Sequence, residues 1–182
     1  MTHIPRLKLY SGLLVIFLIF NNNVLAQNND IRISPKAAVI QTVGLTDVRI
    51  DYNRPGVKGR VIWGGLVPYN KVWRAGANEA TKFTFSDDVK INGKNFKAGS
   101  YSFFVIPTKD DWTVIFNKVA DQWGAFEYNE AEDVMRFKVT PKESNMQEWL
   151  AYTITKTSDY SATVQLEWEK LVVPFTIDTS KD

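Results

Sequence analysis

One irregular segment, residues 54–81, concentrates the residue types that could bind a ligand. It contains five glycines and two prolines, which favour sharp turns and close approach of the backbone. A guanidinium and a carboxylate near aromatic rings can hold a sugar or a carboxylated ligand by hydrogen bonds and stacking. A connection of this length in a compact domain is typical of a binding loop or an internally packed cap. The candidate ligand-binding residues are Arg54, Trp63, Tyr69, Trp73, Arg74, Asn78 and Glu79.

The same residues have a structural interpretation. Arg74 and Glu79 could form a buried or half-buried ion pair that provides hydrogen-bond partners for carbonyls and amides of the loop. Trp63 and Trp73 would then close one end of the sandwich. The surroundings would discriminate these readings. A deep pocket that holds Glu79, Arg74 and a second acid would favour an enzyme. A groove with exposed tryptophan rings would favour glycan binding, and a fully packed segment would favour a cap.

Carboxylate chemistry is the catalytic alternative. General acid/base catalysis would pair Glu79 with a second acid such as Asp51, Asp121 or Glu127. The chain has no cysteine, and its one histidine, His3, lies in the predicted signal segment. The predicted mature chain therefore cannot form Ser-His-Asp or Cys-His centres, or ordinary zinc sites.

No metal or cofactor is predicted. Two acidic doublets, Asp87-Asp88 and Asp110-Asp111, flank predicted strands, and their spacing matches no calcium-binding loop. We interpret both doublets as turn residues that are exposed to solvent.

The N-terminus is typical of a secretory signal. Arg6 and Lys8 precede a short apolar run, and Val24-Leu25-Ala26 provides small residues for cleavage after Ala26. The run is too short for a membrane anchor, which needs about 20 residues. We therefore predict a cleaved signal peptide at residues 1–26, a flexible spacer at 27–33 and one domain at 34–178, exported to the periplasm or the extracellular space.

Cleavage also determines the charge. The signal removes two basic residues and no acidic one, so the mature chain has 20 of each sign and no net charge. This balance predicts no nucleic-acid partner and no anionic-membrane partner. Cleavage of the short apolar run predicts that no membrane anchor is left. The remaining partner classes are a small molecule, a glycan or an envelope protein.

The elements that position these residues are predicted to be short strands. Apolar residues alternate with polar ones through Val48, Ile50 and Tyr52 and through later segments, which predicts half-buried strands. Asn92-Gly93 predicts a tight hairpin. The apolar run 101–106 predicts a central strand paired with 112–116. With nine or ten strands and a helical turn allowed only within 121–133, the fold class is all-β, a single antiparallel β-sandwich or jelly roll.

Two local features sharpen this prediction. The apolar residues of the last segment occupy even positions up to Trp168 and odd positions from Leu171 onward. This change of alternation predicts a bulge or turn near Glu169-Lys170. Trp112, Trp149 and Trp168 lie in alternating segments and are predicted to be core residues.

The chain resembles a known family. The motifs RPGVKGRVIWGGLVPYNKVWRAGANEAT, AGSYSFFVIP and WTVIFNK are similar to those of domain of unknown function 2911, and the resemblance spans roughly residues 34–177. It implies an exported protein of Gram-negative bacteria with one β-rich domain, and it implies no activity or catalytic residue. The preferred hypothesis is a non-catalytic exported β-sandwich that binds its ligand through residues 54–81. The alternatives are a hydrolase or lyase with Glu79 as acid/base and a purely structural envelope protein.

Overall fold

The computed structural model describes Met1 and residues 31–181. The predicted signal peptide and most of the predicted spacer lie outside the described residues. Residues from Ile31 onward form one compact unit. Its elements are β1 (Lys36–Val43), β2 (Thr46–Asn53), β3 (Thr81–Phe85), β4 (Val89–Ile91), β5 (Lys94–Phe96), β6 (Gly99–Ile106), β7 (Trp112–Asn117), a 3₁₀ turn (Glu130–Glu132), β8 (Asp133–Val139), β9 (Lys142–Lys156) and β10 (Ser161–Asp178).

The strands form two antiparallel sheets. The larger has the order β1-β2-β3-β6-β7-β8, and the smaller has the order β5-β4-β10-β9. All strand pairings between these elements are antiparallel. The prediction of an all-β sandwich is therefore confirmed, and β6 lies in the interior of its sheet as expected.

Aromatic side chains from both sheets fill the space between them. Phe103 on β6 packs 5.8 Å from Phe175 on β10 between ring centroids, and Phe83 on β3 packs 4.7 Å from Phe103. Each of these rings is at most 3% exposed. Truncating such a ring to alanine typically costs about 3–5 kcal/mol, so this cluster is a principal source of stability.

The predicted bulge in β10 is confirmed. The register of β10 against β9 shifts on both sides of Glu169, whose φ of 56° lies in the left-handed region. The bulge allows Trp168 and Val173, which have opposite parity, to be buried in the same core. The Asn92-Gly93 hairpin is also confirmed, with φ values of 46° and 76° that a type I′ turn requires.

The helical turn falls inside the predicted range. Asn129 precedes the 3₁₀ turn, and its side chain accepts a hydrogen bond from the Ala131 amide. Such a cap satisfies one of the free amides at the start of the turn.

The prediction that Trp149 is a core residue is wrong. Trp112 and Trp168 are each 1% exposed, but Trp149 is 36% exposed. Its neighbours on β9, Leu150 and Tyr152, are buried and share the inner face. Successive side chains of a strand point to opposite faces, so Trp149 points outward, where the Lys58 ammonium lies 5.7 Å from its ring centroid.

Candidate functional site

Two of the predicted ligand-binding residues contribute to core packing, since Trp73 is buried in the core and Trp63 packs against it. Trp63 lies 4.6 Å from Trp112 and 5.8 Å from Trp73 between ring centroids, and Trp73 stacks at 5.7 Å on Trp168. The backbone of Trp73 exchanges two hydrogen bonds with Val105 at the end of β6, at 2.8 and 2.9 Å. The tryptophans of residues 54–81 therefore close one end of the sandwich, as the cap interpretation expected.

Arg54 and Asn78 hold the segment in place. The Arg54 Nε donates to the Leu150 carbonyl at 2.8 Å, which joins the segment to β9. The Asn78 Nδ2 lies 3.3 Å from the Ser34 carbonyl oxygen, to which it donates. Each of these contacts is internal to the fold.

Tyr69 supports a turn of the same segment. Its ring is half-buried, and a Cβ on Gly64, where φ is 80°, would lie 2.7 Å from it. Only glycine fits there, since both the backbone conformation and the contact exclude a side chain.

The predicted Arg74–Glu79 ion pair does not form. Arg74 is half-buried, and its Nε is buried without a hydrogen-bond partner among the described residues. One terminal nitrogen lies 3.9 Å from where a Cβ on Gly124 would be. Burial lowers the pKa of Arg74. The backbone between the two residues passes through left-handed φ values at Ala75 (53°) and Asn78 (55°), and the side chains reach different surroundings.

Glu79 instead binds two cations from the chain just before and within β1. Its carboxylate accepts hydrogen bonds from the Arg32 Nη1 at 2.6 and 2.9 Å and from the Asn53 Nδ2 at 3.0 Å, and the Lys36 Nζ lies 3.3 Å away. The hydrogen bond from Arg32 is the largest cause that lowers the pKa of Glu79 from 4.5 to about 2. Glu79 is therefore ionised at neutral pH. Sequence reasoning missed Arg32 because it placed this residue in the spacer.

Glu79 also lines a surface groove of about 620 Å³. The groove lies where β1, β2 and β3 meet the segment 120–127. All three acids considered as partners of Glu79 line it, namely Asp51, Asp121 and Glu127. The cations along the groove are Lys36, Arg49 and Lys82.

Most of these charges are paired. Arg49 forms an ion pair with Asp51 at 2.6 Å, and Lys82 forms one with Asp121 at 2.8 Å. With Arg32 holding Glu79, the groove has fixed polar groups of both signs and little net charge.

Trp123 provides an apolar surface in the groove. Its side chain is 57% exposed, and its backbone forms an isolated antiparallel bridge with Glu79. The neighbouring Gln122 is buried and donates to the Val119 carbonyl at 2.8 Å and the Ser102 hydroxyl at 3.1 Å, which ties this segment to the sheet. Trp123 was not among the predicted site residues, because its irregular stretch gives no local signal of orientation.

Residues 31–181 offer neither a membrane-spanning helix nor a metal-binding cluster. No helix there is long and apolar enough to cross a membrane. Nor do these residues bring three or more His, Cys, Asp or Glu side chains together in an arrangement that could hold a metal ion.

The fold and the site define an all-β sandwich with one end closed by tryptophans and a polar groove on its larger sheet. The chain belongs to the family described as protein of unknown function (DUF2911), which matches residues 34–177. The predicted family resemblance is thereby confirmed. No curated protein and no solved structure matched the chain.

Proposed function

We propose that this protein is an exported, non-catalytic β-sandwich that binds a neutral glycan in the groove beside Trp123. The observation that carries the proposal is an exposed tryptophan ring in a groove of fixed, charge-balanced polar groups. Of the seven residues predicted for binding, Glu79 lines this groove. The proposal therefore keeps glycan binding and moves its centre from residues 54–81 to the junction with residues 120–127.

Trp123 suits the apolar face of a sugar ring. An exposed indole presents a large flat surface that loses little conformational freedom on binding, since the side chain has two rotatable bonds. The Trp123 indole is 57% exposed, and an exposed aromatic ring beside fixed polar groups is suited to stacking on a ligand.

The paired side chains suit sugar hydroxyls. Carboxylates that are already held by Arg32, Arg49 or Lys82 retain free lone pairs, and the cations retain free donors. Groups fixed in this way lose little entropy when a hydroxyl binds. Because the charges nearly cancel, a neutral ligand avoids the desolvation of an unpaired ion.

The properties of Glu79 argue against the hydrolase or lyase alternative. A general acid must be protonated at the working pH, and an efficient general base has a pKa near that pH. With a pKa of about 2, Glu79 is a weak base and is not an acid at neutral pH. The four carboxylates in one groove are the observation that keeps this alternative testable.

The test is binding of neutral oligosaccharides to the purified protein. Gluco-, manno-, xylo- and chito-hexaose would be titrated while intrinsic tryptophan fluorescence and heat are recorded. We expect at least one to bind and Trp123→Ala to weaken that binding by at least about tenfold, which corresponds to about 1.4 kcal/mol. Trp149→Ala is the matched control, because Trp149 is a second exposed tryptophan that does not line the groove.

Three outcomes discriminate the hypotheses. Loss of binding in Trp123→Ala alone supports the proposal. Release of new reducing ends during incubation would instead support the carboxylate-dependent enzyme. If no hexaose binds at millimolar concentration, the glycan proposal fails and the purely structural role gains support.

Detection of the processed chain in the periplasm or the medium of a Gram-negative host would test export.

A further inference from the structure

We infer that a second pocket, separate from the glycan groove, binds a small amphiphilic anion, meaning an apolar body with one anionic head group. This pocket has a volume of about 440 Å³ and lies between residues 55–78, Ile33-Ser34 and β10. We call it the Trp168 pocket. Its volume is within the range of small-molecule sites, about 300–1,000 Å³.

The wall of the Trp168 pocket is largely apolar. Trp168 and Trp73 line it from the core, and Val67, Pro55 and Ala77 line it from the cap. These residues are all buried, which means that the wall is part of the packed fold. Leu66 and Ile33 are exposed apolar residues that extend this surface towards solvent. An apolar ligand body would remove the exposed surface of Leu66 and Ile33 from water, with a gain of about 25 cal/mol per Å² of apolar area.

The charges along the pocket have one sign. Lys58, Arg60 and Arg74 line it, and none of its described lining residues is an aspartate or a glutamate. Glu148, an acid that touches this region, accepts a hydrogen bond from the Lys58 amide at 2.9 Å. With three cations lining the pocket and one carboxylate beside it, positive charge is in excess. This differs from the glycan groove, where the signs nearly balance, and it favours an anionic head group.

Two of these cations are positioned by the fold. The Arg60 guanidinium donates to the Gly56 carbonyl at 2.5 Å and to the Val57 carbonyl at 3.1 Å. These bonds use two of its five donors and leave the others for a ligand. Lys58 has a left-handed φ of 49°, and its ammonium lies over the Trp149 ring. Neither side chain forms an ion pair within residues 31–181.

A buried donor lies in the same wall. Trp168 is 1% exposed, and its Nε1 has no hydrogen-bond partner within residues 31–181. By comparison, the Trp73 Nε1 donates to the Gly76 carbonyl at 3.1 Å. A buried donor without an acceptor costs about 1–3 kcal/mol, so a ligand oxygen that reached the Trp168 Nε1 would stabilise the bound state.

The experiment compares dodecanoate with dodecan-1-ol, which has the same body without the charge. Both would be titrated into the purified protein below the micellar concentration of dodecanoate, with tryptophan fluorescence and heat as readouts. We expect saturable binding of dodecanoate and binding of dodecan-1-ol that is at least about tenfold weaker. Lys58→Glu should weaken dodecanoate binding by at least about tenfold.

The control for the charge change is Lys94→Glu, which reverses the charge of an exposed residue on the β4–β5 hairpin. Lys94 does not line the Trp168 pocket. Leu66→Asp is a second variant at an exposed pocket residue, and its urea midpoint would establish that it folds. It should weaken binding as well. Trp123→Ala should leave dodecanoate binding unchanged, which separates this inference from the proposed glycan site.

The inference is overturned if dodecanoate does not bind, if dodecan-1-ol binds equally well, or if Lys58→Glu and Lys94→Glu have the same effect. Loss of dodecanoate binding in Trp123→Ala would assign the ligand to the groove and would also overturn it.

Discussion

Replacing Glu79 by glutamine tests the ion-pair network that forms one side of the glycan groove. Glutamine keeps the size of the side chain and removes its charge. The pKa of Glu79 is lowered from 4.5 to about 2 by Arg32, its neighbours and the backbone. At about 1.36 kcal/mol per pKa unit, this shift corresponds to an upper limit of about 3.4 kcal/mol. Because the side chain is 34% exposed, solvent screening reduces the expected loss at pH 7 to about 1–2 kcal/mol.

The pH dependence distinguishes this cause from lost packing. A carboxyl group whose pKa is lower in the folded state stabilises the fold above its unfolded pKa, here 4.5, and loses that contribution as the pH falls towards 2. Linkage then predicts that the stability difference between wild type and Glu79→Gln is largest near pH 7, smaller at pH 4 and smaller still at pH 3.

The assay is urea unfolding followed by tryptophan fluorescence between pH 3 and pH 7. Asp121→Asn is the matched control, because the Asp121 side chain is 85% exposed in its ion pair with Lys82. Exposed pairs contribute about 0–1 kcal/mol, so this variant should change stability little at any pH. A Glu79→Gln difference that is equally large at pH 3 and pH 7 would refute the electrostatic reasoning. So would a difference at pH 7 no larger than that of Asp121→Asn.

The other stability predictions concern Arg74 and two glycines. Arg74→Met should change the free energy of urea unfolding by less than about 0.5 kcal/mol or raise it. The reason is that an apolar side chain replaces a half-buried cation whose Nε has no hydrogen-bond partner within residues 31–181. A loss of about 3 kcal/mol or more, which is the cost of breaking a buried ion pair, would contradict this. Gly65→Ala should cost about 1–3 kcal/mol in the same assay, since its Cβ would lie 2.5 Å from the Val61 carbonyl oxygen. Gly93→Ala should cost about 1 kcal/mol, because its φ is 76° but nothing lies within 4 Å of the new Cβ. A larger loss at Gly93 than at Gly65 would reverse the expected order.

The strands and their connections could be predicted from the sequence because their signals are local. Alternation of apolar residues through Val48, Ile50 and Tyr52 reports which face of β2 is buried, and this needs no knowledge of the neighbouring strand. The change of parity after Trp168 located the bulge at Glu169 for the same reason. The prediction failed at Trp149. Trp149 and Leu150 are adjacent and both apolar, so their residue types do not show which of the two faces outward.

The sequence also named several residues that line the candidate groove. It singled out Glu79 and named Asp51, Asp121 and Glu127 as possible partners, and these four acids line one groove. It could not say that Arg74 points away from Glu79, because the left-handed residues Ala75 and Asn78 redirect the chain between them.

By itself, then, the sequence determined an all-β domain, its family, and the absence of histidine and cysteine chemistry from residue 27 onward. The tertiary structure decided which side chains meet. Arg32 is 47 residues from Glu79 along the chain, and Trp123 is brought beside it by an isolated bridge. Such contacts depend on strand order and on the paths of loops, which are set by the packing of the whole core, and no local pattern of residues encodes them.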